Sequence, residues 1–391
     1  MRTFYQKIGS VLLLLLAGYI AVGQSFSYKS ALAELRAIQK QFVPDKRVAV
    51  LEVELKDTLQ SPVVLCGETD LPEARAQIIQ FFTDKKISFV DSIRLLPDQK
   101  VGDLCWALGT LSVSNLRMQP GDAAEMASQI LMGTPLKVLD VRGNWYRVQT
   151  PDHYIGWTDS GFQLVTPKEL DRWKESNRFV YNKMSGYAYL SPDRNSGVVT
   201  DLVLDDLFEV ESEVKGFLKI KIPDGRTGFV PKDECLSWNK WSNKPFSLAP
   251  VLAVARKMMG TPYLWGGTST KAADCSGFVK LSFFSQGVIL ARDASQQARY
   301  GEPVDFTNRG NLQVGDLLFF GRSADRVTHV GIYTGNGDFI HASGWVQMGS
   351  IVPGDPKYNP KRILVGARRV LNSLDTEGIV QVKNHPWYSK H

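Results

Sequence analysis

The segment KAADCSGFVK, Lys271 to Lys280, sets a cysteine between an aspartate and a serine at the start of a helical pattern. Cys275 has three readings: a buried small hydrophobe, half of a disulfide, or a nucleophile. Asp274 can cap the helix, which puts Cys275 in its first turn. There the free backbone N–H groups and the positive end of the helix dipole favour the thiolate, the nucleophilic form. A base is then required, and the chain has five histidines. His385 and His391 fall in a polar tail with no element to hold them, and His153 falls in a Pro-Asp turn. His329 and His341 remain, both in predicted strands shortly after Cys275. A lone strand histidine is more often structural, but two in adjacent strands suggest a pair. Their spacing sets a test. A plain two-residue hairpin turn at Asn336-Gly337 would pair Ile332 with His341 and place the two histidines on opposite faces. A working pair must share a face, so the connection has to be irregular, for example an odd loop centred on Asn336. His329 would then take the thiol proton and His341 would orient its ring.

The elements that must position these groups come from a chain of 391 residues, 43% hydrophobic and 22% charged, which is long enough for two to four folded domains. Net charge is +6 and diffuse. That suits weak attraction to anionic polymers, and no basic run argues for nucleic acid. Arg2 and Lys7 precede the apolar run VLLLLLAGYIAV, and Ala21-Val22-Gly23 supplies small residues, so residues 1–23 read as an export signal. The competing reading is a membrane anchor, but the run falls short of the roughly 20 residues a span needs. Residues 29–99 alternate helical and strand periods as a small α+β lobe. Residues 106–165 and 179–238 look like two copies of one β-rich unit, closing on GNWYRVQTPDHYIGWTDS and KGFLKIKIPDGRTGFVPKDE. Two unrelated small barrels would also fit short strands separated by turns. Residues 247–372 run helix, aromatic-Gly-Gly loop, helix, then strands, an α+β order, and 373–391 form the polar tail. Cys66 and Cys105 flank predicted elements of an exported chain and could pair, while Cys235 reads as a buried barrel residue. No cysteine pair has zinc-ligand spacing, and nothing in the sequence calls for a cofactor.

The phrases GTPYLWGG, DCSGF, VGDLLFFG and THVGIYTGNGDFIHAS, in that order, resemble the NlpC/P60 family of cysteine peptidases over about residues 247–371. The repeated unit resembles the bacterial SH3-like barrel. The resemblance implies a papain-like catalytic domain that cleaves peptide amides of bacterial wall. Cys275 would be the nucleophile, His329 the base and His341 the orienting residue, with Tyr263 helping the oxyanion or the substrate. Leu290-Ala291-Arg292 departs from the family's usual Leu-Pro-Arg, which puts one loop contact in doubt. Two barrels ahead of such a domain resemble the subgroup that cuts γ-D-glutamyl–diamino acid bonds in muropeptides with a free N-terminal L-Ala. In that subgroup Asp274 and Ser276 would hold the substrate amine, with Ser295 nearby, and the first barrel would close the pocket. Glu125 and Tyr154 are the candidates there, although the first also reads as solvated surface and the second as barrel core. Partners implied are peptidoglycan stem peptides or muropeptides, with no nucleic acid and no membrane span after signal cleavage. Two other classes stay open: an amidase or acyltransferase of the same fold, and a non-catalytic wall-binding protein.

Overall fold

Leu51, Val53 and Leu55 alternate with Glu52, Glu54 and Lys56, the two-residue period of a strand with one wet face. In the computed structural model, which describes residues 28–56 and 62–390, the first three are buried and the others exposed. That strand, Leu51–Lys56, pairs antiparallel with Val63–Thr69, which in turn pairs parallel with Phe89–Leu95. The parallel pair needs a crossover, and the helix Pro72–Asp84 supplies it, with proline in its first turn where its missing N–H costs nothing. Ala74, Ile78 and Phe82 of that helix and Leu35 and Ile38 of Tyr28–Phe42 close the core of this unit, which ends at Leu96. The export signal read at residues 1–23 lies outside the described residues. Among the described residues no helix is long and apolar enough to cross a membrane.

Residues from Pro97 onward form the second unit. It contains two seven-stranded sheets, one from Trp106 to Val165 and one from Arg178 to Ser237. Within each, the strands hydrogen-bond in one order: seventh, first, fourth, fifth, sixth, second, third. Each also breaks register in its fourth strand, at Val138/Asp140 and at Val210/Ser212. Shared order and shared bulges make the two an internal repeat, beyond what the closing phrases alone indicate. Between them Thr166 and Glu169 form a capping box on the helix Pro167–Glu175.

The second barrel carries an ionisation cost. Asp205 sits at φ +73° with Oδ2 buried and unpartnered, and burial pushes its carboxyl up to about 8 despite Lys244. Folded protein therefore keeps a proton that the unfolded chain has released, and stability falls as pH rises from about 4 towards 8, by roughly 1 kcal/mol per unit. Asparagine tolerates the left-handed conformation and carries no charge. Asp205→Asn should be neutral near pH 4 and raise Tm increasingly up to pH 8. A constant Tm difference across that range would remove the ionisation from the account.

The last domain packs the helices Leu248–Lys257 and Cys275–Phe284 on a six-stranded sheet. Its central strand, Val327–Gly335, lies between Leu317–Gly321 and Asp338–Ser343. Val330, Ile332, Ile340 and Ala342 face the helices. The tail departs from its sequence reading. Ile379–Gln381 pairs with Val288–Leu290, Val382 and Tyr388 are buried, and Trp387 meets Trp106 edge-on. His385 is buried too, with Nε2 3.0 Å from the Pro151 carbonyl of the first barrel. A few apolar residues scattered among polar ones gave no periodicity, yet each finds a partner distant in sequence. All four cysteines are free, so the Cys66–Cys105 bridge is absent. Cys235 is half-buried against the core of the second barrel.

Candidate active site

The hairpin between the histidine strands solves the register problem with a bulge. Asn336 and Gly337 both have positive φ, 55° and 86°, and close a two-residue turn between Gly335 and Asp338. The register then shifts between Tyr333 and Gly335, so Ile332 faces Ile340. His329 and His341 become diagonal neighbours on one face. Their rings stand perpendicular, with Nε2 of His329 2.9 Å from Nδ1 of His341. That bond leaves Nδ1 of His329 as the nitrogen available to a third group.

Cys275 opens its helix as the sequence requires. Asp274 caps it, accepting from the Gly277 N–H at 2.7 Å. The backbone amides of Val330 and Ser276 lie close enough to the sulfur to favour its thiolate, so the helix tip meets the sheet at the residue after His329. Gly277 permits this: a Cβ there would lie 2.0 Å from the Gly267 carbonyl. Thiolate stabilisation does not follow the sequence expectation. Burial first, and Asp274 second, push the thiol up to about 11, against the pull of the two amides and Arg292. Burial and Arg362 push His341 down to about 3, and burial, His341 and Arg362 hold His329 well below the usual imidazole range. Both directions favour a neutral thiol and neutral imidazoles at rest. Desolvation outweighs the helix dipole because Cys275 is only 7% exposed.

The residues named for substrate contact divide. Tyr263 is half-buried beside Cys275 and Asp274, and burial raises its phenol pKa. Asp274 is already saturated. Oδ1 accepts from Gly277, Ser276 Oγ and Arg292, and Oδ2 from Gly266 and Arg292 at 3.0 and 2.6 Å. Ser276 Oγ also takes Arg292 Nη1 at 3.1 Å. Neither side chain is open to a substrate amine without giving up a protein donor. Ser295 is half-buried in the Ala294–Gln297 turn, three residues after Arg292.

The first barrel does reach this end of the site. Ser128 Oγ accepts from Arg292 Nε at 3.0 Å, and Tyr154, buried, donates to Asp293 at 3.1 Å. Glu125 is exposed and accepts from Trp265 Nε1 at 2.8 Å. Close approach of the two parts requires Gly266, φ +79°, whose Cβ would lie 2.5 Å from the Met126 carbonyl. Four residues here escaped sequence reasoning: Ser128, Arg292 as an ion-pair partner, Asp293 and Arg362. Arg292 and Arg362 lie in segments without hydrophobic period. For Arg292 the one available signal was its place after the Leu-Ala step where the family pattern has Leu-Pro.

A thiol at a helix tip, two hydrogen-bonded imidazoles on the facing sheet and a flanking barrel define a cysteine peptidase. The NlpC/P60 family model matches residues 260–385, and a bacterial dipeptidyl-peptidase SH3 domain matches 116–160. The segment 260–385 is thus an NlpC/P60 domain. A gamma-D-glutamyl-L-lysine dipeptidyl-peptidase of Bacillus cereus is 29% identical over 262 residues, 64% of this chain and 77% of the relative. The Escherichia coli murein DD-endopeptidase MepS/murein LD-carboxypeptidase is 40% identical over 114 residues, 29% of this chain and 57% of the relative. The crystal structure of an NlpC/P60 family protein from Bacillus cereus superposes with TM-score 0.58 at 23% identity, covering 68% of this chain and 99% of that one.

Proposed function

We propose that this protein is an exported cysteine endopeptidase of the bacterial envelope. It hydrolyses γ-D-glutamyl–diamino acid bonds in peptidoglycan stem peptides that begin with a free L-Ala. The observation that carries the reading is the bulged hairpin, which brings two histidines to one face beside the strand position that meets Cys275. Cys275 attacks the γ-carbonyl carbon of D-Glu while its proton passes to His329. The oxyanion draws on backbone N–H groups at the helix start and on Tyr263. Collapse of the tetrahedral adduct breaks the C–N bond, and His329 returns the proton to the leaving amine. Water then hydrolyses the thioester with His329 as base, restoring the thiol. His341 holds the ring of His329.

Recognition of a free amine falls to the first barrel. With Asp274 filled by five donors, Glu125 offers an exposed carboxylate on the barrel side, and Tyr154 bonds Asp293 nearer the nucleophile helix. The names of the relatives whose barrels this chain shares support the same substrate class. The test compares L-Ala-γ-D-Glu-diamino acid peptides with free and acetylated N-termini. The free peptide should be cleaved at least about 100-fold faster, a loss of roughly 3 kcal/mol on removing one paired charge. Glu125→Gln should narrow that ratio by slowing the free peptide alone. Equal rates on both peptides, or on intact sacculi, would mean an open pocket and barrels that only target the wall.

A further inference from the structure

Arg362 has no part in the assignments above, yet it touches the histidine pair directly. Its Nη1 is 3.1 Å from Nε2 and 3.5 Å from Nδ1 of His341. A donor in line with one lone pair would lie much farther from the other nitrogen, so the guanidinium lies over the face of the ring. Nη2 donates to Ser343 Oγ at 3.1 Å, which holds the group there. The ring of Phe339 packs against His341 at 4.9 Å, and His341 is 2% exposed. A cation is thus fixed on a desolvated imidazole, where Coulomb effects are only partly screened.

Arg309 and Lys357 line the cavity that Arg362 also lines, Lys357 paired with Asp338, and the charged and titratable groups around Cys275 cancel or stay neutral. Asp274 and Arg292, from the helix cap and the segment after Leu290, form a closed ion pair. Tyr263, from the aromatic loop, is a phenol kept protonated by burial. The charge of Arg362 reaches His341, His329 and Cys275.

We propose that Arg362 is a positioning residue of the reaction. Its fixed positive charge over His341 keeps both imidazoles unprotonated and favours the thiolate of Cys275, setting the site to work at lower pH than the triad alone would. This rests on Cys275 being the nucleophile. A positive neighbour disfavours imidazolium and favours thiolate, so its removal must raise both ionisations together. A purely structural role would lower the rate without moving either limb of the pH profile.

The experiment follows iodoacetamide labelling of Cys275, located by peptide mapping, and kcat/KM, both across pH, in wild type, Arg362→Gln and Arg362→Lys. Glutamine should move the labelling midpoint and both kinetic limbs upward by about one pH unit. Lysine keeps the charge without the planar fork and should stay within a few tenths of wild type, at reduced kcat. Wild-type pH dependence in the glutamine variant, whatever its rate, overturns the proposal. If glutamine collapses the site, seen as a large drop in Tm, Arg362→Ala with added guanidinium gives the same readout. Arg362 lines a cavity of about 270 Å³ with Phe320, Phe339 and Tyr358, which has room for the ion. Return of the labelling midpoint with guanidinium supports the charge, and no return counts against it. Failure of the nucleophile reading would look different: alkylated wild type would still hydrolyse peptide.

Discussion

Cys275→Ala should lose all peptide hydrolysis, at least about a 10⁴-fold drop, while unfolding at nearly the wild-type temperature. The two halves of that result have separate causes. Cys275 is a small side chain, and alanine keeps its Cβ at the helix start, so truncation removes one sulfur from the core, worth about 1 kcal/mol. The cap is untouched, since Asp274 binds the Gly277 N–H through its own carboxylate. Chemistry has no substitute nucleophile: Ser276 Oγ is engaged by Asp274 and Arg292. His329→Ala should be comparably inactive. His341→Asn should retain measurable turnover, falling roughly a hundredfold, because an amide can still bond the ring of His329. The measurement is release of the diamino acid fragment by mass spectrometry, beside a thermal melt of each variant. Hydrolysis retained in the alanine protein would sink the thiol mechanism outright.

The grouping of Cys275, His329 and His341 was legible because each left a local mark. A cap residue before Cys275 and two histidines in adjacent β-type runs are patterns of neighbours in sequence. Even the face-sharing of His329 and His341 followed from strand alternation, although the device that achieves it is a bulge at the hairpin rather than an odd loop. Groups that act across long sequence separations left none. Ser128 and Arg292 meet over 164 residues, and His385 and Pro151 over 234. Polar residues in irregular segments carry no period, so their burial follows only from what packs against them. The same limit explains the misread thiol. Helix position argues for thiolate, but desolvation is a property of the assembled site, and there it outweighs the dipole. The tail failed for that reason too: its apolar residues are too few to read as an element until Val288–Leu290 supplies the partner strand.

Arg292→Met should destabilise the second unit by about 3–5 kcal/mol and lower kcat/KM at least about a hundredfold. Arg292 is 1% exposed, and it is one of the links between the first barrel and the helix that carries Cys275, the one at the helix tip. One guanidinium spans Asp274 at 2.6 and 3.2 Å, Ser276 at 3.1 Å and Ser128 at 3.0 Å. Methionine fills most of the volume but leaves the Asp274 carboxylate buried beside three neutral donors, with its charge uncompensated. Breaking a buried pair from one side is costly for that reason, whereas replacing both partners need not be. Arg292→Met with Asp274→Asn should therefore recover about half of the lost stability, since asparagine still caps a helix. Activity should not return with it. The helix tip would have lost its link to Ser128, and a nucleophile displaced by about 1 Å forfeits on the order of a hundredfold in rate. Denaturant unfolding of the two singles and the double completes the cycle. Additive losses would mean that Arg292 stabilises by packing alone and that the barrel is docked by other contacts, such as Lys280 on Asp152 at 2.5 Å. A strongly coupled cycle, with stability recovered and activity still absent, would make this one arginine the joint between the specificity barrel and the catalytic helix.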